Sequence, residues 1–152
     1  MELTPSVKNI LILDSKGRRV AVKYFTNEWP TISDQKDFEK LVFKEARYAK
    51  PRGRPYDQTS VRIGNKIVLY YFSGDLQFIV TGSEKENDLI LAVILKGFYD
   101  VVEELTGNMF SRKVNKKSVH EHFDEVFLCL DGFVDRGLIL ETEGDIILYG
   151  CG

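Results

Sequence analysis

Residues 7–25 read VKNILILDSKGRRVAVKYF. Val7 to Asp14 is one short apolar run and Arg18 to Phe25 a second. Between them, Asp14-Ser15-Lys16-Gly17 carries the Asp and Gly that a tight turn needs. The pattern predicts a β-hairpin. Working outward, Ser33 is placed to cap a helix from Asp34 to about Ala49, with Phe38, Leu41 and Val42 as its inward stripe. Pro51 forbids continuation.

Lys50 to Ser60 (KPRGRPYDQTS) holds two Pro and one Gly without periodicity and reads as a loop. Val61 to Ile63 predicts a short strand turning at Gly64-Asn65. Lys66 to Phe72 and Leu76 to Thr81 predict a second hairpin around Ser73-Gly74-Asp75. Ser83 with Glu86 has the spacing of a capping box. The helix that follows runs to about Leu105, stopped by Gly107. Leu89 to Leu95 is apolar at every angle around the axis, which predicts burial on all sides. Ser118 with Glu121 reads as a further capping box and Gly137 as a stop. Between them Val119, Phe123, Val126, Phe127, Leu130, Phe133 and Val134 form a stripe at steps of three and four. Leu138 to Leu140 and Asp145 to Tyr149 read as short extended segments. The resulting order, β-β-α-β-β-β-α-α, implies an α/β sandwich with about five strands, an antiparallel sheet and helices on both faces.

At 152 residues and 17.5 kDa the expectation is one domain over residues 1–152. Hydrophobic residues at 43% argue against a wholly disordered chain. A net charge of −2 gives no global field for nucleic acid, and none is expected as a partner. The charge is uneven, however: residues 1–76 carry net +5 and residues 77–152 net −7. Such a dipolar chain can face two different partners. The N-terminus lacks a signal-peptide pattern, and the longest apolar run is too short to span a bilayer. Two cysteines, Cys129 and Cys151, make no disulfide framework and fit a reducing compartment. Cys129 is expected as a packed core thiol.

Chemistry-bearing patterns are few. His120-Glu121-His122 puts two histidines roughly 200° apart on a helix, whereas helical zinc ligands need i, i+4 spacing. No metal, cofactor or catalytic residue is expected. One cluster is distinct: Lys44, Arg47, Lys50, Arg52, Arg54, Arg62 and Lys66 face only Glu45 and Asp57 across one loop and its flanks. Within it Lys50, Arg52 and Arg54 are the candidates for contact with an anionic membrane or an acidic partner.

The residue strings also carry a resemblance. Ile10 to Asp14 (ILILD), Gly17-Arg18, Lys23-Tyr24-Phe25 and Trp29-Pro30 resemble the opening of the small chains of vesicle coats. Gln35, Phe38-Glu39-Lys40 and Phe43 look like the first helix of the coatomer zeta family in particular. Gly82-Ser83, Glu86 to Leu91, Phe98-Tyr99-Asp100, Leu128, Leu130-Asp131, Val134-Asp135, Gly137 and Ile139-Leu140-Glu141 extend the likeness to about residue 143. The resemblance implies a longin-like α+β fold and a non-catalytic role. It implies pairing with the coatomer gamma subunit beside the other coatomer subunits, with recruitment through a GTPase of the ADP-ribosylation-factor class. It places the chain in the cytoplasm, peripheral on Golgi membranes and COPI-coated vesicles, in retrograde Golgi-to-ER and intra-Golgi transport. A sigma-type small chain of a clathrin adaptor is the alternative. The stretches around Lys50 to Ser60 and Gly107 to Lys117 are longer than usual for the family, so no cargo-pocket residue is carried over.

Overall fold

The computed structural model describes residues 7–48, 59–85, 88–107 and 114–133. The first strands, β1 (Val7–Asp14) and β2 (Arg19–Tyr24), form the expected hairpin. Gly17 holds the turn at φ +78°, where a side chain is strained, and a Cβ there would also meet the Phe43 ring at 2.8 Å. The Asp14 carboxylate accepts the backbone N–H groups of Lys16 and Arg18, which closes the turn from within.

Helix α1 (Ile32–Tyr48) follows, and its cap differs from the expected one. Thr31, not Ser33, receives the Asp34 N–H on its hydroxyl and the Gln35 N–H on its carbonyl. Phe38, Val42 and Ala46, at steps of four, are buried, while Leu41 is exposed. Strands β3 (Thr59–Ile63), β4 (Lys66–Ser73) and β5 (Leu76–Ser83) are joined by the two expected short turns. The sheet is antiparallel throughout with order β2-β1-β5-β4-β3, because β5 returns to pair with β1.

Helix α2 (Asp88–Thr106) begins five residues beyond Ser83, which instead ends β5 and accepts the Lys85 N–H on its hydroxyl. Glu86 lies outside the described residues, as do the segments expected as extended after Gly137. The long C-terminal helix is two helices, α3 (Lys116–Glu121) and α4 (Phe123–Phe133), broken at His122. Here too the cap moves. Asn115 is the N-cap, its side chain accepting the Ser118 N–H while the Ser118 hydroxyl accepts the Asn115 N–H. Ser118 is therefore the inner partner of the capping box rather than its start.

Each strand is read by both faces of the sheet, because helices cover both. Ile10, Ile12, Phe78 and Val80 point to α2–α4, meeting Leu91, Ile94, Leu95, Phe98, Val126 and Leu130. Leu11, Leu13, Ile79, Val68 and Tyr70 point the other way, to Trp29 and α1. Gly82 lets α2 approach β5, since a Cβ there would meet Leu91 at 2.8 Å. The result is a five-stranded antiparallel sheet between helical layers, the longin-like arrangement expected.

Candidate functional site

Of the basic cluster, the side chains of Lys44, Arg62 and Lys66 are among those described. Lys50, Arg52 and Arg54 lie outside the described residues. Arg62 turns to Glu84, 3.6 Å away. Lys66 donates to the Asn65 side chain at 3.1 Å and sits 5.3 Å over the Trp29 ring. Lys44 is exposed on α1. His120 is exposed, and His122 has Glu125 3.8 Å away across one helical turn. Among the described residues no three metal-ligating side chains converge. Cys129 is fully buried in the core, as its setting led us to expect, but its sulfur is disulfide-bonded and not a thiol. An apolar setting suits either form of the sulfur, so the local sequence does not separate them.

Two polar clusters that the sequence did not announce hold the layers in place. Glu39, on α1, is almost fully buried and accepts from the Arg19 guanidinium at 2.7 Å and from the Tyr24 hydroxyl at 2.6 Å. Gln35 extends the cluster, accepting a second N–H from Arg19 and donating to the Trp29 carbonyl. The Glu39 hydrogen bond raises the Arg19 pKa against the opposing effect of burial, and burial together with Glu39 raises that of Tyr24. The cluster ties α1 to β2.

The second cluster is centred on Asp14. Burial pushes this carboxyl upward, but the Lys116 ammonium at 2.8 Å and the N–H groups of Arg18 and Lys16 outweigh it and hold the pKa well below the usual carboxylate range. Asp75, in the β4–β5 turn, accepts the Lys116 backbone N–H. The start of α3 is thus fastened to two hairpin turns at one end of the sheet. Every carboxylate in these clusters is already matched by a cation or an N–H, which suits fastening rather than proton transfer.

The surface chemistry lies elsewhere. The run Leu89 to Leu95, expected to be buried on all sides, is buried at Leu91, Ile94 and Leu95 but open at Leu89 (74% exposed), Ile90 and Val93. Along α3 and α4 the expected stripe splits: Val119, Val126 and Leu130 are buried, while Phe123 and Phe127 stack on each other at the surface beside Leu128 (65% exposed). A signal for the α2 strip was present. The charged line Glu104, Asp100, Lys96, extended backward by three and then four residues, passes through Val93 and Leu89. Hydrophobicity alone concealed it.

This architecture, with its helical layer of open apolar residues, has known relatives. The family model of the clathrin adaptor complex small chain matches residues 6–150. Coatomer subunit zeta-1 of Oryza sativa is 48% identical over 97% of this chain and 79% of its own length. The chain belongs to the coatomer zeta family. Coatomer subunit zeta-1 of Arabidopsis thaliana is 44% identical over 100% of this chain and 82% of its own. The human coatomer subunit zeta-1 keeps 33% identity over 95% of this chain and 75% of its own. Among solved structures, a chain in a homology model of the full-length AP-3 complex superposes with a TM-score of 0.67, covering 95% of this chain and 90% of that one at 14% identity. At that identity the likeness concerns the fold, and it agrees with a longin-like sheet between helical layers.

Proposed function

We propose that this chain is the non-catalytic small subunit of a COPI coat, built as one domain over residues 1–152 and paired with the coatomer gamma subunit. The observation that carries this reading is the 48% identity to a coatomer zeta subunit along 97% of the chain. The open apolar residues of α2 and α4 are compatible with the pairing, because exposed apolar patches often mark interaction sites. Coat membership would bring the chain, through its partners and a GTPase of the ADP-ribosylation-factor class, to the cytoplasmic side of Golgi membranes for retrograde and intra-Golgi transport. Co-expression with a gamma large chain tests this. A 1:1 complex that survives gel filtration is expected. Co-purification with an adaptor large chain instead of gamma would favour the sigma-type alternative.

Lys50, Arg52 and Arg54 are proposed as a contact of the assembled coat with an anionic membrane or an acidic partner. Pro51, Gly53 and Pro55 interleave them in the sequence. Each basic residue near an anionic surface contributes roughly 1 kcal/mol, so three amount to about a hundredfold at most. Replacing all three with Ser is expected to weaken liposome recruitment at low salt while leaving gamma binding and melting temperature unchanged. Equal recruitment of both proteins would remove the membrane role.

A further inference from the structure

We propose that the outer side of α1, where Lys36, Lys40 and Lys44 form one exposed cationic line headed by Ile32, is the surface this chain turns to an anionic lipid membrane. The proposal rests on the coat reading above for its setting. It adds which helix meets the membrane and through which groups, independently of Lys50, Arg52 and Arg54.

The line follows from the helix period. Four residues advance about 6 Å along the axis and about 40° around it, so these four follow one another on one side of α1. All are exposed, Ile32 at 62%. Phe38, Val42 and Ala46 take the opposite side and pack on the sheet. None of the three lysines has an ion pair or hydrogen bond among the described residues. On α2, by contrast, the exposed Lys96 is matched four residues on by Asp100 at 3.1 Å. On α1 the neighbour at each step of four is another lysine, and like charges at that spacing destabilise a helix. The acids of α1 are placed elsewhere. Glu39 is buried against Arg19, and Asp34 sits in the first turn, where the helix dipole favours it. Asp37 and Glu45 flank the line and form no ion pair with it. A local rule broken without a compensating contact marks a surface kept for another purpose.

Charge and shape select the occupant. Three uncompensated ammonium groups within about 12 Å of helix attract an anionic surface. Ile32, at the end of the line, supplies an apolar side chain that can enter between headgroups. The centre of a protein interface is apolar and poor in lysine, whereas this line is convex and lysine throughout, which suits a plane of headgroups. The other helical layer has the opposite sign. There α2 carries Asp88, Asp100, Glu103 and Glu104 against Lys96, and α4 adds Asp124 and Glu125. That layer is repelled by an anionic membrane, so the field of the chain orients α1 toward it. The two layers lie on opposite faces of the sheet, and a partner seated on α2–α4 leaves α1 open.

The test uses the full chain, alone and co-expressed with the gamma large chain. Binding is measured to vesicles of phosphatidylcholine alone or mixed with phosphatidylserine, at low and high salt. Four forms are compared: wild type, Lys36→Gln/Lys40→Gln/Lys44→Gln, Lys36→Arg/Lys40→Arg/Lys44→Arg, and a control of equal net charge, Lys85→Gln/Lys96→Gln/Lys117→Gln. Wild type and the Arg form should bind the mixed vesicles at low salt, with the α1 Gln form roughly tenfold weaker or more and the control within about twofold. High salt, or phosphatidylcholine alone, should remove the difference. The α1 Gln form should melt at or above the wild-type temperature, because a repulsion has been removed. Equal binding of wild type and the α1 Gln form, or no wild-type binding to mixed vesicles, would overturn the proposal. A melting temperature lowered by the α1 Gln substitutions would do the same, since the lysines would then hold the fold. So would a gamma complex or a homodimer that only the α1 Gln form loses, which would assign the line to a protein contact. A gamma complex missing for every form would overturn the coat reading, while the vesicle comparison on the chain alone still decides the α1 face.

Discussion

The two faces of the sheet are closed by different physics. Toward α2–α4 the contact is mainly apolar: Ile10, Ile12, Phe78 and Val80 meet Leu91, Ile94 and Phe98, with aromatic edges at Phe78–Phe98 and Phe78–Tyr99, and polar fastenings sit only at its edge, at Ser73–Tyr99 and Asp14–Lys116. Toward α1 an aromatic group of Tyr24, Trp29 and Phe38 is joined by a buried ion pair, Arg19–Glu39. That face also buries Asn9, Gln77 and Thr81, whose side chains find no hydrogen bond among the described residues. Apolar burial is non-directional and supplies most of the stability. Buried polar contacts add less net energy but accept one arrangement only. The comparison assigns stability to the α2 face and alignment of α1 to the other.

The largest expected effect breaks the apolar face. Leu91 is fully buried, directly over Gly82. Leu91→Asp places a carboxylate there without a partner, costing several kcal/mol against a typical total of about 5–15. The variant should be unfolded by circular dichroism at 25 °C. A folded variant with wild-type melting would contradict the assignment of stability to this face.

Next comes the polar face. Arg19→Ala leaves the Glu39 carboxylate buried without its cation, with the Tyr24 hydroxyl as its remaining side-chain donor. Removing one partner of a buried pair costs about 3–5 kcal/mol, and the lower end applies because Arg19 is itself partly exposed. Urea unfolding measures the loss. Arg19→Ala/Glu39→Leu should recover most of it, since the orphaned charge causes the cost.

Sequence reasoning served the two faces unequally, for a physical reason. Short apolar runs separated by turn residues at Asp14–Gly17, Gly64-Asn65 and Ser73–Asp75 are local information, and they located every strand among the described residues. Helix positions were also legible. Their caps were not, because Thr31 and Ser33, or Asn115 and Ser118, are both good capping residues and local sequence does not separate them. The α2 strip was missed because a run of apolar residues looks buried whether the cover is this chain or another one. Both polar clusters join residues far apart in sequence, Arg19 with Glu39 and Asp14 with Lys116, and no local spacing announces them.

A smaller effect concerns pH and the Asp14 cluster at one end of the sheet. Its folded pKa lies below the unfolded value near ~3.9, so the unfolded chain binds the proton first. The stabilisation is therefore complete above that value and is lost as pH falls from about 4 toward the folded pKa. Asp14→Asn should cost about 1–3 kcal/mol at pH 7, and the gap to wild type should narrow as the solution is acidified below pH 4. Melting curves between pH 7 and pH 3 check both parts. A gap that stays constant with pH would mean that Lys116 does not engage the carboxylate in solution.

The smallest expected effect has the opposite sign and sharpens the comparison most. Thr81 is fully buried on the α1 face, opposite Asn9 across the β1–β5 ladder, and its hydroxyl has no hydrogen-bond partner among the described residues. A buried hydroxyl without a partner has given up water for nothing, a cost of about 1–3 kcal/mol. Valine keeps the branched shape that a strand favours and removes that oxygen. Thr81→Val should therefore leave stability unchanged or raise it by up to about 1 kcal/mol, read as a small increase in the urea midpoint with an unchanged slope. The same substitution in a face held by polar contacts alone would be destabilising. A loss of about 1 kcal/mol or more would show that the Thr81 hydroxyl is satisfied in solution, with Asn9 the nearest candidate, and that the α1 face carries a second polar fastening alongside Arg19–Glu39.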